Sequence, residues 1–348
     1  MSKTYQITLT PLDWYFFGGE TTFGESGDSS NYYAKSNLLP QETALLGMLR
    51  FELLKANGLI PINSSERKEQ ADKLIGKSSF NYNDRNLPDS GFGAIQSISP
   101  VFILRENKDI LYKTPKHHNQ EISFQPGNVT FTKASEETKT PLINGFSSKN
   151  LPMESWLSID DDKEYLEKDI FIHKTRIGIT KMNKDRQDNN KDGFFKTKLC
   201  SLSADYSFVF YATLDTNILV GERLVNLGAE RSMFNMSIQE SEETIDKLFK
   251  KTTKKDGKLV FLSDSFVDSK ILSLCQFAWV DTIPFRNLNR TTSVNKNYAA
   301  LNKKEEKSNH YNLIKRGSVL FFSPSKANEI KELIDNNYLQ HFGYNVYL

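Results

Sequence analysis

Cysteine is almost absent from this chain. Cys200 and Cys275 are the only two among 348 residues, and both stand in apolar runs. Buried, reduced thiols are therefore expected in place of a disulfide, and no cysteine cluster offers a zinc site. An excess of charge is missing as well. The 45 Lys and Arg against 43 Asp and Glu leave a formal net charge of +2. Total charge thus demands no polyanionic partner, and any nucleic-acid reading has to rest on local clustering. No run approaches the ~18 apolar residues that a membrane-spanning helix needs. The first residues, Met1 to Leu9, hold no apolar core of a signal peptide. The expectation is a soluble, cytoplasmic protein with no membrane partner.

Signatures of catalysis are equally scarce. The Gly-Lys-Ser at Gly76 to Ser78 resembles part of a phosphate loop. Ala71 stands where that loop needs glycine, and no strand precedes it. The glycines between Gly18 and Gly27 lack the spacing of a dinucleotide fingerprint, and the next helical pattern starts too far away. His117 and His118 are adjacent, so on a strand they would face opposite sides, with no carboxylate at ligand spacing. Asp160 to Asp162 reads as a solvated turn, with no second carboxylate group placed near it for magnesium. No Ser-His-Asp or Cys-His set emerges. No metal, no cofactor and no catalytic residue is implied.

What the chain does have is a globular composition, 38% hydrophobic and 25% charged, with 24 Phe and 14 Tyr. Its length suits two domains, or one with insertions. Tyr5 to Thr10 alternates as a half-buried strand, and Pro11 to Ser30 reads as a loop with an aromatic start. Pro40 opens a helical pattern through Ala44, Leu45, Met48, Leu49 and Leu53 that stops before Gly58. Residues 61 to 92 are polar and irregular. Val101 to Leu104 and Ile110 to Tyr112 suggest a hairpin, and residues 114 to 150 are loop-rich. A clear strand starts at Asp205. The stretch Arg223 to Ile238 reads as a helix end or turn and then a strand. A short helix is expected from Glu242 to Lys251. Strands are expected after Gly257, within Ser269 to Val280, and over Gly317 to Phe322, with a closing helix from Ser325 to Asn337. Strands with few helices argue for an α+β fold, one unit in each half.

The most informative stretch is His173 to Phe195. A basic, β-branched run, Lys174 to Thr180, leads into a dozen almost purely polar residues and returns at Gly193-Phe194-Phe195. Six Lys or Arg face three Asp across it. By itself it is a solvated loop between two strands, with Lys174 to Thr180 and Gly193 to Phe195 as paired stems. Lys35-Ser36-Asn37 precedes the first helix, where free N–H groups could hold a phosphate or the side chains could merely cap. Arg50 lies late in that helix, where a cation is favourable in any case. Lys315-Arg316-Gly317-Ser318 is a glycine turn running into a strand. It is either a tight turn flanked by solvated cations or a place where amides and cations meet a phosphate.

Taken in order, these islands resemble a family. They are Pro11-Leu12-Asp13 with Phe16-Phe17; Pro40, Thr43, Gly47 and Arg50; Arg176, Gly178 and Ile179 with Gly193-Phe194-Phe195; Gly228, Glu230 and Arg231; and Gly317-Ser318-Val319 with Phe321. The pattern is similar to the RAMP proteins of type III CRISPR effector complexes. Within them it is most like the subunit that caps the 5′ end of the CRISPR RNA in type III-B (Cmr) complexes. Ala229 and Leu320 depart from it, where the family often has Gly and Tyr. Residues 58 to 97 and 114 to 165 match nothing in it.

The resemblance implies two RRM-like (ferredoxin-like) RAMP units with insertions, over residues 1–165 and 166–348. The second would carry a protruding β-hairpin thumb near 173–195. It implies a non-catalytic scaffold binding the 5′ handle of the crRNA, and target RNA near the guide start. Its protein partners would be the large polymerase/cyclase subunit and a neighbouring RAMP backbone subunit. The RNA contacts implied are Lys35, Ser36, Asn37, Arg50, His173, Lys174, Thr175, Arg176, Lys181, Arg231, Lys315, Arg316, Gly317 and Ser318. Three alternatives stay open. One is the equivalent subunit of a type III-A (Csm) complex. Another is a guide-processing RAMP endoribonuclease using His173 or His310. The last is an unrelated α+β interaction protein.

Overall fold

The Lys3–Pro11 strand alternates strictly. Tyr5, Ile7 and Leu9 are buried, while Thr4, Gln6, Thr8 and Thr10 are partly exposed. That period-2 pattern fixes which face meets the core. In the computed structural model, which describes residues 2–19, 21–23, 32–83, 91–120, 122–133, 136–145, 153–180, 193–216, 220–229, 231–249, 257–286, 288–292, 303–307 and 309–348, this strand is central. It pairs antiparallel with Tyr206–Leu214 on one side and with Ser232–Glu240 on the other. Phe102–Arg105 continues the sheet beyond Tyr206–Leu214, and Gly221–Leu227 closes it beside Ser232–Glu240. Ile95–Ile98 also pairs with Tyr206–Leu214.

The inner face carries Phe208, Phe210, Phe234, Met236 and Ile238, all fully buried, and the Glu42–Ala56 helix lies against the Gly221–Leu227 strand of the same sheet. Tyr15 and Phe17 fill the same layer, with Phe17 stacked on Phe234 at 5.8 Å between ring centroids. That helix begins at Glu42 and is preceded by Gln41, so Pro40 lies just outside it.

The chain sorts into two compact units, both discontinuous. The first comprises Met1–Ser78, Pro88–Leu111 and Glu167–Glu243; the second comprises Ser79–Leu87, Tyr112–Leu166 and Thr244–Leu348. A cut near residue 165 would separate Lys3–Pro11 from the two strands that flank it, and strand pairing across that sequence distance is why the sequence order misleads.

The second unit is built around the three strands Lys258–Val260, Val319–Phe321 and Phe277–Trp279. The Ala327–Ile334 helix packs Ile330 and Ile334, one turn apart, against Leu259, Phe261, Leu320 and Phe322. Phe80, Phe266, Phe285, Tyr338, Phe342 and Tyr344 form an aromatic cluster in the same unit.

Four sequence expectations change. Residues 61 to 92 contain the Ser65–Ile75 helix, capped by Ser64 accepting from the Arg67 N–H at 3.2 Å and anchored through Ala71. So little of it is buried that its apolar pattern is faint. Residues 114 to 150 hold the paired strands Ser123–Lys133 and Glu136–Asn144. The Arg223 stretch is a hairpin, not a helix end. Ile271–Leu274 is one helical turn ahead of the Phe277–Trp279 strand. The Val101–Tyr112 hairpin is present as Phe102–Arg105 and Asp109–Lys113, and its turn places Glu106 and Asn107 at φ 50° and 54°.

Phe234→Ala opens a cavity where Tyr15, Phe17 and Phe208 meet, and it should cost about 3–5 kcal/mol. Gln239→Ala, on the exposed side of the same strand, should stay within about 0.5 kcal/mol. Urea midpoints of the two variants check this.

Candidate nucleic-acid interface

The polar segment folds as the sequence suggests at its stems. Phe171–Thr180 pairs antiparallel with Gly193–Leu202, from Phe171 opposite Leu202 to Thr180 opposite Gly193. Residues 181–192, including Lys181, lie outside the described residues. Gly193–Leu202 pairs in parallel with Tyr32–Lys35, and Thr21–Phe23 completes a four-stranded sheet.

Register decides which side chains share a face. One face carries His173, Thr175, Ile177 and Ile179 from the first strand; Phe194, Lys196 and Lys198 from the second; and Tyr33 and Lys35 from the third. Lys35, Thr175 and Lys196 are exposed. Ile177 and Phe194 are open to solvent at 69% and 62%. The Lys196 ammonium sits 5.6 Å above the Tyr33 ring, within cation–π range. Lysines alternating with rings on one exposed sheet face are what single-stranded RNA requires: charge for phosphates and flat surfaces for bases. Lys174 and Arg176 project from the opposite face with Tyr32, Phe195 and Gly178. There Lys174 lies 5.6 Å over the Trp14 ring, and Tyr32 stacks on Phe195 at 5.6 Å.

His173 reports the field of the first face. Partial burial and the charges of Lys198 and Lys35 lower its pKa below the usual histidine value, so it is mainly neutral near pH 7. Its Nδ1 lies 3.3 Å from the Cys200 sulfur. Burial pushes the Cys200 thiol up to about 11, which makes it a packing group and not a nucleophile. Cys200 also exchanges backbone hydrogen bonds with Tyr15, at 2.7 and 3.0 Å. These bonds tie the base of the hairpin to the aromatic stretch after the first strand.

Ser36 and Asn37 do not stand at a helix N-terminus. The helix begins five residues beyond Asn37 and carries Glu42 in its first turn. The Ser36 hydroxyl accepts from the Phe17 N–H at 3.0 Å and donates to the Asn37 carbonyl, and the Asn37 N–H donates to Gly18. Both residues fasten the loop beneath Lys35. Arg50 donates to the Ser78 carbonyl at 2.8 Å and lies 4.9 Å over Phe92, holding the helix to the segment after Ser65–Ile75. Arg231 is exposed in the hairpin turn at φ 54°.

The glycine turn of the second unit lacks the free amides expected of it. The Lys315 N–H donates to Asp281, the Arg316 N–H to the Asp264 carboxylate, the Gly317 N–H to Phe261 and the Ser318 N–H to Lys315. The Arg316 guanidinium is buried and paired with Asp264 at 3.3 Å. The Ser318 hydroxyl accepts from the Asp281 N–H at 3.1 Å. At Gly317, φ is +82° and a Cβ would lie 2.9 Å from the Lys113 side chain and the Thr114 carbonyl. Packing, not phosphate approach, accounts for this glycine. Lys315 lines a pocket of about 190 Å³ with Lys113, Lys116, Glu154, Trp279 and Asp281. Lys116 pairs with Asp281 at 2.5 Å and Lys113 pairs with Glu154. Burial raises the Glu154 pKa, but Lys113, Lys315 and Lys116 outweigh it, leaving the carboxyl below its ordinary value.

Sequence reasoning missed Lys196, Lys198, Tyr33 and Phe194. The strand alternation after Gly193 carried a signal for the first two, whereas Tyr33 reaches the face only through a parallel pairing across sequence. His117 lies 2.8 Å from the Lys258 ammonium. No group of three or more His, Cys, Asp or Glu able to hold a metal occurs among the described residues.

Gly317→Ala should lose about 1–2 kcal/mol from the left-handed backbone alone, with more from the Lys113 and Thr114 contacts. RNA affinity per folded molecule should stay unchanged, since the Gly317 N–H already serves Phe261. Thermal melts paired with an RNA-binding titration check both halves.

The model of the family described as "CRISPR-associated protein (Cas_Cmr3)" matches residues 7–348. Two solved structures contain a chain of the same fold. They are described as the "Type III-B Cmr-beta bound to cognate target RNA and AMPPnP, state 1" and the "Type III-B Cmr-beta bound to cognate target RNA". Each aligns with a TM-score of 0.51 and 14% identity over 99% of this chain and 96% of the other. No curated protein matches. The family match over residues 7–348 shows that the chain belongs to the Cas_Cmr3 family of CRISPR-associated proteins.

Proposed function

We propose that this protein is a non-catalytic RNA-binding scaffold of a type III-B CRISPR effector complex, gripping the 5′ handle of the crRNA. The observation that carries the reading is the hairpin-sheet face, where Lys35, Lys196 and Lys198 surround His173, Tyr33 and Phe194. The family match and the likeness to chains of target-bound type III-B assemblies support the same direction. The central antiparallel sheet, with a helix on one side, is compatible with an RRM-like unit. The Phe171–Leu202 hairpin would act as the thumb at the guide–target duplex, with Lys174 and Arg176 on its second face. The large polymerase/cyclase subunit and a RAMP backbone subunit are its proposed protein partners. We leave the turn at Arg316, Gly317 and Ser318 out of the proposed RNA contacts, because its amides, the Arg316 guanidinium and the Ser318 hydroxyl already have partners within the second unit.

Phosphate contacts make binding salt-dependent, with a log–log slope of about −0.7 per contact on single strands. The triple variant Lys35→Ala, Lys196→Ala, Lys198→Ala should therefore bind handle RNA with a slope shallower by about 2. Lys174→Ala with Arg176→Ala, measured separately, reads the contribution of the other face. An unchanged slope in the triple variant would overturn the assignment.

One observation favours a second reading. His173 is exposed on the proposed RNA face and its pKa lies below the usual histidine value, so it could take a proton from a 2′-hydroxyl. Metal-independent cleavage of repeat RNA by the isolated protein, lost in His173→Ala, would establish an endoribonuclease instead of a scaffold.

A further inference from the structure

The second unit holds a cavity of about 190 Å³ that the proposed RNA-binding face does not use. Four stretches of chain wall it, and backbone hydrogen bonds stitch them together. The Lys116 N–H donates to the Gly317 carbonyl at 2.9 Å, the Thr114 N–H to Ser155 at 3.1 Å and the Lys315 N–H to Asp281 at 2.9 Å. The cavity is therefore pre-formed. Its lining brings together the ammoniums of Lys113, Lys116 and Lys315 and the carboxylates of Glu154 and Asp281. Arg316 also lines it, but Asp264 already balances that guanidinium. Lys113 pairs with Glu154, and Lys116 pairs with Asp281. The Lys315 charge is felt at Glu154, yet its ammonium makes no ion pair or hydrogen bond among the described residues. One positive charge in the cavity is thus left without a counter-ion of its own. Trp279 and Met153 supply apolar wall, and Met153 is 65% exposed.

We propose that this cavity receives one carboxylate of a partner protein, with an apolar side chain of the same segment lying against Trp279 and Met153. The carboxylate gives Lys315 the counter-ion that its own unit lacks, and a partly desolvated charge pair of this kind is both strong and selective. RNA fits less well. A strand carries a charge at every nucleotide, and the phosphates flanking one held by Lys315 would meet Glu154 and Asp281, whose side chains are 50% and 46% exposed. The turn beside Lys315 also has no free amide to offer a phosphate. A free small molecule is disfavoured by size, since cavities that hold one whole run from about 300 Å³ upward. A cationic segment would meet the uncompensated charge.

The inference needs a protein partner but not the RNA-binding face, so the two are tested apart. The chain is co-expressed with the CRISPR-associated subunits encoded beside it and with guide RNA, and the complex is purified through a tag on this chain. A water-soluble carbodiimide then joins ammoniums to the carboxylates they touch, forming an amide while the carbodiimide takes up the water as a urea. Mass spectrometry should find Lys315 joined to a side-chain or terminal carboxylate of another subunit. Links from Lys113 to Glu154 and from Lys116 to Asp281 are the internal controls. Lys315→Arg keeps the charge and should lose only the link between subunits. Lys315→Glu should weaken retention of that same subunit by at least about tenfold. Met153→Asp places a competing carboxylate at an exposed position of the lining and provides a second reading should Lys315→Glu fold poorly. A complex in which the control links form and Lys315 joins no other subunit would overturn the proposal, as would a wild-type chain that retains no other subunit. The isolated Lys315→Glu chain should bind handle RNA as wild type does. A fall in that affinity would make Lys315 an RNA contact and equally overturn the proposal.

Discussion

The placement of Lys3–Pro11 between Tyr206–Leu214 and Ser232–Glu240 is the constraint that the rest of the first unit obeys. Three strands bury one continuous inner face, with Ile7, Phe210 and Ile238 fully inaccessible along a single row of the register. Each buried side chain of this size contributes about 1.5–3 kcal/mol, and a slip of one residue would turn the whole set outward. Once that register is set, its outer edge at Gly221–Leu227 follows. So does the point where Gly193–Leu202 leaves for Tyr206–Leu214.

That exit point explains how a strongly polar segment can be ordered at its stems. The hairpin is not stabilised by a core of its own. Its base is fastened to buried structure, through the Tyr15–Cys200 backbone pair and the parallel ladder to Tyr32–Lys35. Leu199, Cys200 and Leu202 are buried, while the strands farther out carry exposed Ile177 and Phe194. Charge follows the same gradient. Lys35 and Lys198 act on His173 at the base, and Lys196 sits farther out over Tyr33. A nearly neutral protein thereby presents a locally basic and aromatic face. By contrast, the outer face of the central sheet around Thr8, Thr10, Asn235 and Ser237 is rich in hydroxyls and amides, and these four residues bring no cation to it.

The glycine turn of the second unit shows how a motif can be real and yet differently employed. Lys315 to Ser318 has the residues of a phosphate cradle. The Lys315, Arg316 and Gly317 amides, the Arg316 guanidinium and the Ser318 hydroxyl are nevertheless committed to Asp281, Asp264 and Phe261. Local sequence shows which groups can form hydrogen bonds, but these partners lie more than 30 residues away, and only folding brings them close. The same holds for Ser36, whose partner is the Phe17 N–H and not a helix end. Arg50 likewise finds its acceptor at the Ser78 carbonyl.

Several elements were legible from local pattern alone. The alternation of Lys3–Pro11, the apolar run of Tyr206–Leu214, the helix beyond Pro40 and the hairpin at Phe102–Lys113 each rest on spacing and turn chemistry within a short window. The stems of the basic hairpin were legible for the same reason, and the spaced islands sufficed to suggest the family. What the sequence could not contain is pairing at a distance. The discontinuous units, the parallel match of Tyr33 and Lys35 to Lys196 and Lys198, and the exposed edge at Leu224 all depend on which strands become neighbours. Neighbours are chosen by burying one shared apolar face over the whole chain, a quantity that no local window carries.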